Sequence, residues 1–222
     1  MATNITEHYF EFGPLKYFRG NAHILKLATY GEKKDPVGAK AYLDPESTVG
    51  AEHLASRVEK GKPVGVEWGR TTKAELEANG PIPVFGLNLN VSTNLGYEKV
   101  KTADLKLFNL SIAEDPLKKL LNEDAVNVRK YFAGEGKDAR IVSEVWVVME
   151  AKLAEHFDTS GAVAVSVKGA DLNVTAKGGT QGTQTITLSK GSVFAYKLHK
   201  VKEWNKDKTR ILDMEADYKG MN

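Results

Sequence analysis

Alternation of apolar and polar side chains with a period of two constrains this chain more than any other feature. In DARIVSEVWVVMEAKLAEHF, the residues Ile141, Ser143, Val145, Val147, Met149, Ala151 and Leu153 share one side with no charge among them. Successive strand residues point to opposite faces, so the run predicts one long strand with an uncharged face. VFGLNLNVSTNLG repeats the pattern, with Phe85, Leu87, Leu89 and Val91 on one side and Gly86, Asn88, Asn90 and Ser92 on the other. A third instance, AVAVSVKGADLNVTAKGGTQG, alternates through Val163, Val165 and Val167, breaks at Lys168-Gly169 and resumes at Leu172, Val174 and Ala176. Almost every side chain on it is small, so it brings little bulk to a core.

Helical spacing is confined to two places. Asp44-Pro45-Glu46 has the residues of a helix start, with Ala51, Leu54, Ala55 and Val58 as its stripe and Gly61 and Pro63 as its end. Asp115-Pro116 starts another, carried by Leu117, Leu120, Leu121, Val128 and Phe132, with Asn122 able to restart a second short helix. Between Leu107 and Phe108 the apolar parity of a strand shifts, which predicts a bulge. A last strand pair, TQTITL and VFAYKLHKV, flanks the tight turn SKGS. The expected class is α+β: a twisted, mostly antiparallel sheet with flanking helices.

Composition removes several function classes. The 222 residues, 41% of them hydrophobic, suffice for one sizeable core. A net charge of +2 and no arginine-rich tract argue against nucleic acid as a partner. The absence of cysteine rules out disulfides and thiol chemistry. The opening MATNITEHYFEFG has neither the basic nor the apolar region of a secretion signal, so a cytoplasmic protein is expected. His8, His23, His53, His156 and His199 are scattered without metal-ligand spacing, and Glu114-Asp115 and Glu123-Asp124 fit helix N-termini. Gly178-Gly179-Thr180-Gln181-Gly182 lacks the lysine and helix of a phosphate loop. No catalytic residue, metal or cofactor is expected, and the chain reads as a non-enzyme.

The order of strand phrases in the second half resembles the pore-forming domain of the gasdermin family, in particular its short bacterial and fungal members. Asp138-Ala-Arg-Ile-Val-Ser-Glu-Val145 is similar to the family's D-x-Y-V-V-T-E-V-like strand opening. Thr185 to Leu198 is similar to its threonine-rich run, glycine turn and VFGFQAVRL-like phrase, and Leu95-Gly-Tyr with Ala103 to Ile112 to an upstream strand pair. The likeness covers residues 84 to 204.

The resemblance implies a pore-forming cell-death or immune effector, released by proteolysis near its C-terminus, that oligomerises on membrane lipids and converts β-hairpins into a transmembrane β-barrel. It also implies relocation from cytoplasm to membrane, with an activating protease and further copies of the chain as partners. On this expectation residues 1–204 are the pore-forming domain and 205–222 a short tail able to inhibit it. The inserting hairpins come from 64–112 and 139–190, carried by Phe85, Leu87, Leu89, Val91, Ile141, Val145, Val147, Met149, Val163, Val165, Leu172 and Val174. Lys16, Arg19, Lys33 and Lys34 are assigned to lipid headgroups; Lys206, Lys208 and Arg210 to the cleavage region; and Ile211, Leu212 and Met214 to the tail's apolar anchors. Two departures stand out: the chain lacks the N-terminal cysteine that many bacterial members acylate, and its tail is too short for a regulatory domain. The alternative is a soluble β-rich binding or scaffold protein that never inserts.

Overall fold

The computed structural model describes residues 3–5, 8–61, 64–66, 105–151, 163–168, 171–178, 182–189 and 193–221. In chain order the strands are β1 (Thr3–Ile5), β2 (Tyr9–Phe12), β3 (Leu15–Phe18), β4 (Thr29–Lys34), β5 (Tyr42–Thr48), β6 (Glu59–Lys60), β7 (Val64–Val66), β8 (Leu105–Ser111), β9 (Ala139–Ala151), β10 (Val163–Lys168), β11 (Asp171–Gly178), β12 (Gly182–Ser189), β13 (Val193–Trp204) and β14 (Ile211–Asp217). The helices are α1 (Ala51–Leu54), α2 (Glu114–Lys119) and α3 (Val126–Glu135), with one π-helical turn, Leu120–Asp124, joining the last two.

The class is α+β, as expected: a curled antiparallel sheet with few helices. Its middle is the pair β9 and β13, and each changes partner along its length. One edge of β9 pairs with β13, while the other meets β4 at residues 139–141 and β8 at residues 144–151. Likewise β13 carries β9 on one edge and, on the other, β3 at Tyr196 and β14 from Leu198 to Trp204. Strands of 13 and 12 residues serve several short neighbours in turn, and the right-handed strand twist accumulates across them into the curl. Strands β10, β11 and β12 form a separate antiparallel meander.

One core fills the side of the sheet that the helices cover. Leu117, Leu120 and Leu121 of α2 and its π-turn, Val128 and Phe132 of α3, and Leu54 of α1 pack in one cluster with Ile141, Val145, Val147, Val193 and Tyr196. Each such side chain contributes about 1.5–3 kcal/mol on leaving water. The Tyr196 hydroxyl, fully buried, donates to the Gly20 carbonyl at 2.7 Å and accepts from the Leu43 amide at 3.1 Å, which ties β13 to the chain around β5.

Asp44-Pro45-Glu46 is not a helix start. These residues lie in β5, an edge strand, and the helix forms later as the single turn α1. Proline is tolerated on an edge, where its missing N–H faces no neighbour, and here it sits opposite Gly31 at a shift in the β4–β5 register. A Cβ on Gly31 would lie 1.9 Å from the Asp44 carbonyl oxygen, so only glycine admits this close pairing. Asp115-Pro116 does start a helix, and Asn122, expected to restart one, lies in the π-turn. The β8–β9 ladder shifts between Lys106 and Leu107, where a bulge was expected. The TQTITL and VFAYKLHKV segments do not pair with each other among the described residues: β12 joins β11, and β13 joins β9, β3 and β14.

Candidate membrane-inserting strands and the elements that hold them

Strand β9 divides along its length. Ile141, Ser143, Val145 and Val147, from its first half, are all buried, with Val147 opposite both Val193 and Phe108. In this half the uncharged face is the centre of the core. A carboxylate at position 147 would be an unpaired charge in that core. Met149 lies in the second half, where among the described residues β9 pairs only with β8.

The opposite face of β9 carries Glu144 and Trp146. Glu144 accepts hydrogen bonds from the Tyr17 hydroxyl at 2.9 Å and from Asn109 Nδ2 at 2.6 Å, and Lys197 Nζ lies 3.8 Å away. Burial, then the carboxylate's charge, push the Tyr17 hydroxyl pKa up, so it remains a donor. Trp146 meets Phe10, Phe12 and Tyr17 at centroid separations of 5.0–5.6 Å, and Phe10 meets Phe194 at 5.6 Å. The β2–β3 hairpin is thereby strapped over this side of β9 and β13.

The meander β10–β12 has a register that sorts residues cleanly by polarity. Val165 pairs with Val174 and Val174 with Ile186; Val167 pairs with Leu172 and Leu172 with Leu188. Cross-strand partners share a face, so by register one face of the ladder holds Val163, Val165, Val167, Leu172, Val174, Ala176, Ile186 and Leu188, with Gln184 its one polar residue. The other holds Ser166, Lys168, Asp171, Asn173, Thr175, Lys177, Thr183, Thr185, Thr187 and Ser189, with Ala164 its one apolar residue. Val163, Val165, Leu172 and Val174, expected separately, thus come together in one three-stranded ladder. Phe85, Leu87, Leu89 and Val91 lie outside the described residues.

The four basic residues assigned to headgroups separate into two kinds. Lys16 lies 4.2 Å above the Tyr9 ring, half-buried, and Lys34 is paired with Glu32 near the surface. Arg19 is wholly buried over the Phe194 ring at 4.4 Å, and Lys33 is buried too, so neither reaches a headgroup in this conformation. Lys33 donates to Asp217 Oδ2 at 3.0 Å and to the Lys219 carbonyl, and Arg140 Nε donates to the same Asp217 oxygen at 2.7 Å. Burial works to raise the Asp217 carboxyl, but hydrogen bonds from Arg140, the Lys219 amide and Lys33 outweigh it and hold the pKa below the usual range. Burial lowers Lys33 despite that partner.

Residues beyond Trp204 do not trail from the sheet. Strand β14 pairs with β13, and Ile211 and Met214 are buried in the core with Met221, whereas Leu212 is 44% exposed and anchors nothing. Asn122, in the π-turn, grips β14 as a strand would: its Nδ2 donates to the Ile211 carbonyl and its Oδ1 accepts from the Ile211 amide, both at 2.9 Å. Lys206, Lys208 and Arg210 occupy the exposed turn between β13 and β14.

One buried polar group was missed in the sequence. His199 Nδ1 lies 2.6 Å from Ser143 Oγ, and its Nε2 lies 3.6 Å from Glu114. The residue types match a hydrolytic triad, but Ser143 is 1% exposed in the middle of β9, where no substrate reaches it. The group joins β13, β9 and α2 instead. Its signal in the sequence was position: His199 falls one residue after buried Leu198 in a strand whose residues 193–196 are all buried, so both faces are covered. Among the described residues no cluster of three or more His, Asp or Glu side chains is placed to hold a metal, and no helix is long and apolar enough to cross a membrane. Comparison with protein-family models, with curated proteins and with solved structures finds no match.

Proposed function

We propose that this protein permeabilises membranes: copies assemble on a bilayer, and strands of β9 to β12 extend into a shared transmembrane barrel. The polarity of the β10–β12 ladder carries the reading. A barrel strand in a bilayer needs an apolar face toward lipid and a polar one toward water over ~9–11 residues. The meander has that sorting across three consecutive strands, with its charges on the polar face alone. Strands β11 and β12 have 8 residues each and β9 has 13, which brackets the required length. The likeness of the strand phrases to gasdermin pore-forming domains supports the same reading.

Dye release from anionic vesicles tests it. The informative variant is Val174→Asp with Ile186→Asp, two direct partners on the apolar face of a ladder separate from the eleven-stranded sheet. A lysine or arginine at a bilayer midplane costs about 2–4 kcal/mol and an aspartate less, but the cost is repeated in every subunit of a ring, so release should disappear while the thermal unfolding midpoint stays near wild type. Undiminished release by the double variant would exclude these strands from the lipid-facing wall. No release by the wild-type chain at any lipid ratio would end the pore reading itself.

A further inference from the structure

Charge is distributed unevenly along the β13–β14 hairpin. In its stem the cations are matched: Lys200 with Glu215 at 2.9 Å and Lys202 with Asp213 at 2.7 Å across the ladder, and Lys197 with Glu144 of β9 at 3.8 Å. At its tip, Lys206, Lys208 and Arg210 are exposed, Asp207 is the only carboxylate, and among the described residues none of the three cations has an acidic partner within ion-pair distance.

The tip is also closed by hydrogen bonds within the turn. The Asn205 amide donates to the Arg210 carbonyl at 3.0 Å, and the Lys208 amide donates to the Asn205 carbonyl at 3.0 Å. The Asn205 side chain accepts from the Arg210 amide and donates to Thr209 Oγ1, both at 2.9 Å. Within this turn Lys208 has φ of +52°, the left-handed conformation that glycine or asparagine adopts with least strain. A lysine is held there against its own backbone preference, by the hydrogen bonds of the turn.

A third feature lies beside the turn. Glu203 pairs with Asp213 and Trp204 with Ile211, so Leu212 is the extra residue of a bulge. It is among only four large apolar side chains exposed among the described residues. Three unmatched cations next to a leucine turned out of its ladder suit a bilayer interface, where headgroup phosphates take the charges and the acyl boundary takes the leucine. A soluble polyanion would have no use for Leu212.

We propose that the β13–β14 turn is the surface by which this protein first docks on bilayers rich in anionic lipid. The choice of partner rests on the pore-forming reading, but docking and permeabilisation are measured separately. Flotation with phosphatidylcholine vesicles, with and without phosphatidylserine, reads docking alone. Lys206→Glu with Lys208→Glu and Arg210→Glu should weaken binding to the anionic vesicles on the order of a hundredfold. Lys208→Gly should raise the unfolding temperature by relieving strain while weakening binding about fivefold, a pair of opposite effects that misfolding cannot mimic. Leu212→Ser should weaken binding at unchanged charge. Wild-type binding by the folded triple variant, or equal wild-type binding to neutral and anionic vesicles, overturns the proposal. So does full binding by Leu212→Ser, the behaviour of a site for soluble polyanions. Protein that docks through this turn but releases no dye sustains the docking surface and sinks the pore.

Discussion

Two side chains dominate the electrostatics at the residue scale. Asp217 is the anion that Lys33 and Arg140 share, and the side chains of all three are at most 9% exposed. Asp217→Asn leaves two cations facing each other in the interior, and removing one member of a buried ion group costs about 3–5 kcal/mol. The expected result is a lower denaturant midpoint at unchanged slope. Because the folded carboxyl titrates below the unfolded one, its contribution is complete above pH ~4 and is lost as pH falls through the folded pKa. His199 acts over a higher window. Burial, helped by the charge of Lys197, lowers its pKa from 6.5 to about 4, so the unfolded chain binds the proton first. Stability should therefore fall as pH drops from about 6.5 toward 4, by on the order of 3 kcal/mol. His199→Asn keeps a polar atom near Ser143 and removes the titration, so its stability curve should be flatter across that window.

At the scale of elements, the hairpin that closes the chain depends on one side chain from a distant turn. Asn122 makes both hydrogen bonds to Ile211 that a neighbouring strand would supply. Asn122→Ala should cost about 2 kcal/mol, since two largely buried backbone groups lose their partners, and amide exchange should quicken first in β14. The sequence reading found this helical segment from its leucine spacing but could not foresee the grip, because an asparagine 89 positions away from its partner leaves no periodic trace. Strand existence was legible for the opposite reason: alternation is local, and β9, β10 and β11 follow it closely. The helix expected at Asp44-Pro45-Glu46 failed because a cap signature is local too, while an edge strand with a bulge satisfies the same residues.

For the whole molecule, the sheet's curl makes residues 205–221 part of the fold. Deleting residues 206–222 removes Ile211, Met214 and Met221, each stabilising by about 1.5–3 kcal/mol, and leaves Lys33 and Arg140 without Asp217. That loss is comparable with the 5–15 kcal/mol of a typical domain, so the truncated chain should be recovered insoluble or largely unfolded by circular dichroism. A single cut in the 205–210 turn is a different matter. The nicked halves should co-elute on gel filtration in native buffer and separate only in denaturant, because β14 remains held by β13, Asn122 and the buried ion group.

Taken alone, the sequence determined that β9, β10 and β11 are strands with one apolar side and that helices are few, since each of these is a matter of spacing along the chain; it missed β5 and β14. The β10–β11 register, not the spacing, brought Val163, Val165, Leu172 and Val174 to one face, because the alternation breaks at Lys168-Gly169. Only the tertiary structure decided that Val147 and Ile141 sit in a closed core, that Arg19 and Lys33 are buried, and that the last strand is pinned by Asp217. The physical reason is that burial depends on what covers a face. Identical alternation results whether the apolar side meets helices, another strand's side chains or lipid, and the covering element lies far away in the chain.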